Sequence, residues 1–231
     1  MNAAPHVVGD PHRNQLLATL PDATWARWQP LVEPVDLRVG QVLCDSGSAP
    51  AYAYFPTTAI VSLVCKTLDG ASAEIAVVGK DGVVGLSLVM GGNAMTSEAL
   101  VHSAGQAYRL RSRAVKSELA RGGPVLGALL RYTLAVMAQV TLTAACNRHH
   151  SIEQQLCRRL LLALDRSPSD ELVMTQRLMS TLLGVRRESV TAAARRLQQA
   201  GVIRCRRGHI TVLDRHRLEQ RACECYLAAR Q

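Results

Sequence analysis

The chain has 231 residues, a length that fits one or two domains and excludes three. Hydrophobic residues make up 48% of it and charged residues 19%, which excludes a disordered chain, and 3% aromatic residues exclude an aromatic stacking platform for single-stranded nucleic acid. The formal net charge of +9 indicates an anionic partner.

The positive charge is concentrated in the last third of the chain. Residues 151–231 contain 15 arginines against 8 acidic residues, a net charge of +7, whereas residues 1–150 contain 12 basic and 10 acidic residues. Arginine's planar guanidinium suits phosphates and guanine edges. The asymmetry therefore favours nucleic-acid binding by the C-terminal part over a merely solvated basic surface.

The first half of the chain combines one helical segment with many short strands. Residues 12–31 are predicted to be helical, because leucines and tryptophans recur on one side. Further on, short runs rich in Val, Ile and Tyr alternate with turns such as Asp69-Gly70, which is typical of an antiparallel sandwich or barrel. The predicted strands are 35–44, 52–55, 60–67, 74–78, 83–88 and 99–110.

After Pro124, apolar residues recur at spacings of three and four over about 20 residues, which predicts a long helix. One β domain covers only part of this stripe, so we expect the rest to pair with its copy in a second subunit. The alternative is a helix buried within its own monomer. The helix is predicted to end at a hinge, residues 147–151. The expected dimer interface consists of Leu126, Leu130, Thr133, Met137 and Val140.

The same segment, residues 125–146, has the length of a membrane span. Arg131 and Gln139 lie within it and are costly in lipid, so a soluble helix is favoured and no membrane partner is expected. The N-terminal residues contain no apolar segment of the kind found in signal peptides. We therefore expect a cytoplasmic protein whose seven cysteines are reduced thiols.

The C-terminal part predicts a helix-turn-helix followed by a hairpin. Ile152–Leu164 is predicted as a helix, and Gln176–Leu183 as a shorter one. Gly184 supplies a turn that needs positive φ, and residues 186–200 form the second helix. Residues 202–213 form two short strands with a basic tip, a wing suited to the phosphate backbone.

In a helix-turn-helix the second helix enters the major groove and its N-terminal residues contact base edges. Arginine donates two hydrogen bonds to guanine, and glutamate accepts one from cytosine. The expected base contacts are Arg187, Glu188, Ser189 and Thr191. The expected phosphate contacts are Thr175, Arg186, Arg195, Arg206 and Arg207.

In the order of its segments, the chain resembles the Crp/Fnr family of transcription regulators. The resemblance is strongest at residues 174–213, where Gly184, residues 187–190 and Gly201 match the family's turn, recognition and helix-stop positions. It differs near Ala192, where the family often has a further Arg, so the preferred half-site is expected to differ.

The resemblance implies an α+β fold: an N-terminal antiparallel β-roll, a cyclic-nucleotide-binding-like jelly roll, then a long dimerisation helix and a winged helix-turn-helix. It implies three parts of the chain. These are a β-roll sensor domain at 1–123, a dimerisation helix at 124–147 and a winged helix-turn-helix DNA-binding domain at 148–231.

The resemblance also points to an effector pocket. Family members that bind cyclic nucleotides have a Gly-Glu pair and, further along, an Arg before a Ser. Here Leu86 stands in place of the Glu, and residues 85–101 contain no Lys or Arg to neutralise a buried phosphate. The degenerate pocket would consist of Gly85, Leu86, Thr96 and Ser97. We expect an effector other than cyclic AMP, or none.

No cofactor is expected. Iron–sulfur members of the family use an N-terminal cysteine cluster, and Cys44 is the first cysteine here. The candidate axial ligands for haem are more typical of ordinary surface or core residues. They are His6, His12, Cys44 and His102.

No metal is expected either. Cys223 and Cys225, with His209 and His216 nearby in sequence, have no established zinc spacing, so they are interpreted as ordinary cysteines. The pair His149-His150, which follows Cys146, could sense pH or metal, although a solvated hinge is the favoured interpretation.

The sequence thus predicts a homodimeric regulator that binds a palindromic DNA operator. Double-stranded DNA and a second copy are the expected partners, with RNA polymerase and an unidentified small effector as further candidates. No phosphate loop, hydrolase elbow or zinc-protease motif is present, so catalysis is not expected. The alternatives are a sensor module that acts through protein partners and a thiol-dependent enzyme.

Overall fold

A computed structural model describes residues 9–167 and 169–229 of the chain. Its helices are α1 (Gln15–Ala18), α2 (Asp22–Trp28), α3 (Ser112–Ala120), α4 (Pro124–His149), α5 (Ile152–Leu164), α6 (Gln176–Leu183), α7 (Arg187–Gln199), α8 (Arg215–Arg221) and α9 (Cys225–Ala228). Its strands are β1 (Glu33–Leu37), β2 (Val42–Cys44), β3 (Tyr52–Pro56), β4 (Ile60–Lys66), β5 (Ser72–Val78), β6 (Glu98–Ser103), β7 (Gly105–Arg111), β8 (Glu171–Val173), β9 (Ile203–Arg206) and β10 (His209–Val212).

The N-terminal part is built from two antiparallel sheets. One has the order β1-β7-β3 and the other β2-β6-β4-β5. Alternating apolar side chains from these strands form two buried clusters, one around Phe55 and Leu110 and one around Val61 and Val101. The antiparallel β-roll predicted from the sequence is confirmed.

Three of the predicted strands differ from the structure, each at a glycine. The run 35–44 is divided into β1 and β2, with Gly40 at φ +82° between them. The run 99–110 is divided into β6 and β7, which lie in different sheets. A Cβ at Gly105 would lie 2.5 Å from the amide nitrogen of Ala59, so only glycine allows the chain to cross there. The run 83–88 is not a strand, because Gly85 at φ +114° leads into a 3-10 turn.

The predicted helix 12–31 is two short helices flanked by 3-10 turns. The side chain of Asn14 accepts a hydrogen bond from the amide of Leu17 and begins α1. Pro21 precedes α2, where its fixed φ suits a helix start but its missing N–H would interrupt a continuous helix. Helix α3 was not predicted from the sequence.

The long helix α4 has 26 residues and extends beyond the predicted end at residue 147. His150 is its C-cap, and Ser151 already caps α5 through a capping box with Gln154. Of the residues 147–151 at which the hinge is expected, only His150 and Ser151 lie outside the two helices.

Among the described residues, α4 is the one helix with the length and composition of a membrane span, at a mean hydropathy of 1.5 over 18 residues. Only 28% of that window is buried within the chain. Inside it, the side-chain oxygen of Gln139 accepts a hydrogen bond of 2.8 Å from the amide of Val77 in β5. One side of α4 thus packs on the β-roll and the other side is exposed.

The C-terminal part packs α5, α6, α7 and α8 around one apolar core and closes it with the antiparallel sheet β8-β10-β9. Leu160 and Leu161 of α5 contribute to this core, as do Val190 and Leu197 of α7. The elements β8, α8 and α9 were not predicted from the sequence. The predicted order of two helices and a hairpin is confirmed.

Candidate nucleic-acid interface

Local sequence signals position the helix pair. The hydroxyl of Thr175 accepts a hydrogen bond of 3.1 Å from the amide of Leu178, so Thr175 is the N-cap that the sequence predicts. Gly184 ends α6 at φ +66°, a conformation that costs an L side chain free energy. Val190 and Leu197 anchor α7 in the core, which leaves its opposite face to solvent.

The exposed face of α7 presents most of the predicted base-contacting residues. Arg187 and Glu188 are exposed, and Ser189 and Thr191 are half-buried. A shallow surface depression of about 410 Å³ is lined by Arg187, Glu188, Thr191, Ala192 and Arg195. The hydroxyl of Thr191 lies 2.9 Å from the carbonyl of Arg187, so as a donor it is engaged within the helix. Its methyl group and lone pairs remain available to a ligand.

The wing lies beside this helix. Arg207, at φ +47°, and Gly208, at φ +85°, form a two-residue turn of the type favoured in hairpins. Arg206 and Arg207 are exposed, and the amide of Met174 donates a 2.7 Å hydrogen bond to the carbonyl of Gly208. This bond holds the wing tip next to the start of α6.

One cleft joins the wing to the recognition helix. Its volume is about 390 Å³, and its basic lining residues are Arg177, Arg187, Arg206, Arg207 and His209. Arg177 was missed by the sequence analysis, although its position in the first turn after the Thr175 cap indicates it. Arg186, the N-cap of α7, is also exposed. The predicted phosphate contacts therefore surround the predicted base contacts.

The helix-turn-helix contacts the β-roll, a relationship that the sequence did not indicate. The hydroxyl of Ser72 donates a 3.4 Å hydrogen bond to the carbonyl of Thr181, and Arg166 forms a 2.6 Å ion pair with Asp81. A Cβ at Gly184 would approach Ala73 to 3.1 Å. The β4–β5 hairpin and the DNA-binding helices are thus in direct contact.

A buried polar cluster lies behind this contact. Arg159 of α5 forms an ion pair with Glu74, and its guanidinium lies 3.4 Å from Nδ1 of His102. The hydroxyl of Ser62 lies 2.9 Å from the same nitrogen. Burial lowers the pKa of His102 well below its usual value, and the adjacent Arg159 lowers it further. Burial raises the pKa of Glu74, which Arg159 opposes.

The residues of the predicted effector pocket lie around a short turn that packs against Met95. Gly85 leads into the 3-10 turn Leu86–Leu88, and the hydroxyl of Ser87 lies 3.4 Å from the sulfur of Met95. Met95 is 6% exposed and occupies the space next to this turn. Thr96 is exposed, whereas Ser97 is buried. The one charged residue of 85–101, Glu98, is paired with Lys66.

The predicted dimer stripe is divided between two faces of α4. Thr133 is 7% exposed, and Val140 packs against the β-roll cluster, so both side chains face the chain's own core and not the exposed side of α4. Periodicity alone could not distinguish these two faces. Leu126 is half-buried, whereas Leu130 and Met137 are exposed by 51% and 57%. Leu134, which was not predicted, is 68% exposed.

The residues considered as metal or cofactor ligands lie in different surroundings. His209 pairs with Glu171 and His216 lies against Gln220, so neither accompanies Cys223 and Cys225. These two cysteines instead lie close to Cys146 and His150, which the sequence did not indicate. His12 packs edge-to-face with Trp25, Cys44 is half-buried, and His6 lies outside the described residues.

Comparison with known proteins agrees with this geometry. Residues 154–221 match the model of the Crp-like helix-turn-helix domain. Functionally characterised protein sequences show no significant match. Among solved structures, a transcriptional regulator of the Crp/Fnr family from Eubacterium rectale is 17% identical, with 91% of this chain and 98% of that chain covered at a TM-score of 0.72.

Two further structures are similar. FixK2 from Bradyrhizobium japonicum is 18% identical, with 83% of this chain and 98% of that chain covered at a TM-score of 0.69. The c-di-GMP-responsive global regulator CLP from Xanthomonas campestris is 15% identical, with 83% and 99% covered at a TM-score of 0.65. The chain therefore carries a Crp-like helix-turn-helix domain and has the fold of the Crp/Fnr family transcription regulators.

Proposed function

We propose that this protein is a sequence-specific DNA-binding transcription regulator of the Crp/Fnr type. The observation that carries the proposal is the exposed N-terminal end of α7, where Arg187 and Glu188 stand beside the basic wing. In this arrangement Arg187, Glu188, Ser189 and Thr191 read bases in the major groove. The surrounding cations contact phosphates and fix the orientation of the helix. They are Arg177, Arg186, Arg195, Arg206 and Arg207, with Thr175 at the N-terminus of α6.

A second copy of the chain covers the exposed side of α4. Leu130, Leu134, Met137, Thr141 and Ala144 are all exposed and follow alternating spacings of four and three. This is the pattern of the a and d positions of a two-stranded coil. Such a dimer buries the apolar surface that gives α4 its membrane-like hydropathy. It presents two recognition helices to one face of DNA, about 34–36 Å apart.

The effector is not a cyclic AMP molecule whose phosphate is buried in the β-roll. Met95 occupies the space beside the Gly85 turn, and Lys66 is already paired with Glu98. A phosphate buried here would lack a compensating cation. The proposed regulator therefore responds to a different ligand or acts without one.

The thiol-dependent enzyme is disfavoured by the surroundings of Cys44, Cys157 and Cys205. A catalytic thiol needs a lowered pKa in a partly exposed site. Burial instead raises the pKa of Cys157 to about 12, and it also raises the pKa of Cys44 and Cys205. A module that acts only through protein partners would not need the basic wing beside an exposed Arg187.

Selection of duplex oligonucleotides from a random pool, followed by fluorescence anisotropy, tests the proposal. We expect an enriched palindrome with half-sites about 10–10.5 base pairs apart. Arg187→Ala and Glu188→Ala should each cost about 1–3 kcal/mol on that site and flatten discrimination at one or two positions per half-site. Arg217→Ala, an exposed arginine of α8, is the matched control. Recovery of no preferred sequence would contradict the proposal.

A further inference from the structure

Four side chains with ligand atoms for soft metals meet where α4 joins the DNA-binding part. Cys146 is in the last turn of α4 and His150 is its C-cap, whereas Cys223 lies between α8 and α9 and Cys225 is the first residue of α9. All four ligand atoms lie within 4.8 Å of one another. The residues come from segments more than 70 positions apart in the chain, so the fold alone brings them together.

Helix geometry explains why two of the four side chains lie close together. Cys146 and His150 are four residues apart, which places them on one face of a helix end. The segment after α8 supplies the other two, with the thiols of Cys223 and Cys225 both directed at α4. The sulfur atoms of Cys146 and Cys223 are 3.5 Å apart, and the sulfur of Cys225 is 3.7 Å from Nδ1 of His150.

These distances match the edges of a metal tetrahedron. With Zn–S bonds of about 2.3 Å and a Zn–N bond of about 2.1 Å, a regular site has S···S edges of about 3.8 Å and S···N edges of about 3.6 Å. Three sulfurs and one imidazole nitrogen form a closed structural zinc set. The three cysteines are at most 4% exposed, which excludes competing water ligands.

The residues around the cluster support the same assignment. Nε2 of His150 lies 3.2 Å from a carboxylate oxygen of Glu224, which orients the ring so that Nδ1 faces the sulfurs. Metal-bound histidines in proteins are commonly held in this way by a carboxylate. The side chain of Gln155 donates a 2.8 Å hydrogen bond to the carbonyl of His150 and fixes the backbone there.

The charge balance also fits. A divalent cation bound by three thiolates and a neutral imidazole has a net charge of −1. Arg158 is 7% exposed, and its positive charge acts on both Cys146 and Cys225. A buried anionic site therefore has its counter-ion in place.

We propose that Cys146, His150, Cys223 and Cys225 bind one structural Zn²⁺ ion per chain. On binding, each of the three thiols releases its proton to solvent and its sulfur forms a bond to zinc, with no change of oxidation state. The ion joins the end of the long helix to the start of α9. Two of its ligands precede the junction of His150 and Ser151 in the chain, and the other two follow it.

The consequence of this site, which rests on the proposed function, is a fixed hinge. Because His150 is both a ligand and the residue directly before Ser151, the N-cap of α5, zinc restricts the backbone where the DNA-binding part leaves α4. Loss of zinc frees that junction. The metal site itself is measured without DNA, so its failure and failure of the proposed function are distinguishable.

The test is metal analysis of the full-length protein purified under reducing conditions from zinc-supplemented medium. We expect about one zinc ion per chain. Addition of Co²⁺ to the chelator-treated protein should produce the absorption bands of a tetrahedral site with sulfur ligands. This measurement needs no variant and remains valid if cysteine substitutions impair folding.

Matched variants then identify the ligands. His150→Ala should lower the zinc affinity, whereas His149→Ala, one residue earlier and exposed, should not. Cys223→Ser should abolish the cobalt bands, whereas Cys205→Ser should preserve them. Glu224→Gln should weaken zinc binding about 10–100-fold through the lost support of His150. Glu219→Gln, which affects only the ion pair with Arg215, should not.

Three results would overturn the assignment. One is the absence of both bound zinc and cobalt bands in the reduced protein. Another is a Cys146–Cys223 disulfide in the purified chain, since these sulfurs are already adjacent. The third is zinc binding that persists at equal affinity in Cys223→Ser and His150→Ala, which would place the ion elsewhere.

Discussion

Arg159 of α5 and Glu74 of β5 form an ion pair of 2.7 Å between side chains that are 5% and 7% exposed. One partner belongs to the helix that supports the helix-turn-helix and the other to the β-roll. With the Ser72–Thr181 and Asp81–Arg166 contacts, the pair links the two parts of the chain. We therefore expect a change in the β-roll that moves β5 to alter the position of the DNA-binding helices.

Removal of either partner of this ion pair should lower the free energy of unfolding, and the loss should differ between the two partners. Glu74→Gln should cost about 3–5 kcal/mol, because the guanidinium of Arg159 remains buried and cannot lose its proton. Arg159→Met should cost less, because burial already raises the pKa of Glu74 and the carboxyl can take up a proton. Urea unfolding at pH 7 measures both, with the exposed Arg217→Met as control. Equal losses below about 1 kcal/mol would contradict this account.

His102 should make stability fall in mildly acidic solution. Its pKa is lowered in the folded protein by burial first and by Arg159 second, so the unfolded chain binds the proton more readily. The contribution is fully present above pH 6.5 and is lost as the pH falls below that value, by up to about 1.4 kcal/mol per pH unit. The His102→Gln variant should show a flatter stability profile between pH 6.5 and 5. An unchanged slope would show that His102 does not titrate there.

The exposed stripe of α4 predicts how the dimer can be separated. Met137→Arg places a charge in the middle of the stripe and should give monomers in analytical ultracentrifugation. Met90→Arg makes the same chemical change at a 65% exposed position of the β-roll and should leave the dimer intact. A wild-type chain that sediments as a monomer at micromolar concentration would contradict the proposed interface.

Gly184 should be intolerant of substitution for two separate reasons. Alanine there would adopt φ +66°, at a cost of about 1–2 kcal/mol, and its Cβ would lie 3.1 Å from Ala73 and 3.2 Å from the carbonyl of Ser72. Gly201 has φ +68° and open space around it. Gly201→Ala should therefore show the backbone cost alone, and the difference between the two variants measures the contact with the β-roll. Equal melting temperatures would show that this contact contributes nothing.

The wing and the recognition helix should differ in salt dependence. Arg206→Ala and Arg207→Ala should weaken binding to all DNA sequences alike and reduce the salt slope by about one unit for each lost phosphate contact. Anisotropy at several salt concentrations provides the measurement. If Arg206→Ala removed base preference while Glu188→Ala kept it, the assigned roles would be reversed.

Elements with local signals were predictable from the sequence. The Thr175 cap, the turn at Gly184 and the apolar spacing of Val190 and Leu197 specify the two helices without reference to the rest of the chain, and the structure has them at nearly the predicted bounds. The arginine excess of the same region indicated an anionic ligand. Short antiparallel strands were recognisable for the same reason, because alternation and turn residues are local.

Other features depended on packing between distant segments. Two faces of α4 have apolar spacing, and only contact with the β-roll decides that Thr133 and Val140 face inward while Leu134 and Met137 stay free. The pairs Cys146/His150 and Cys223/Cys225 were visible separately, but their meeting requires α8 to return to the end of α4. Local periodicity determines which elements form, whereas burial of apolar surface between distant elements decides which faces, charges and ligand atoms come together.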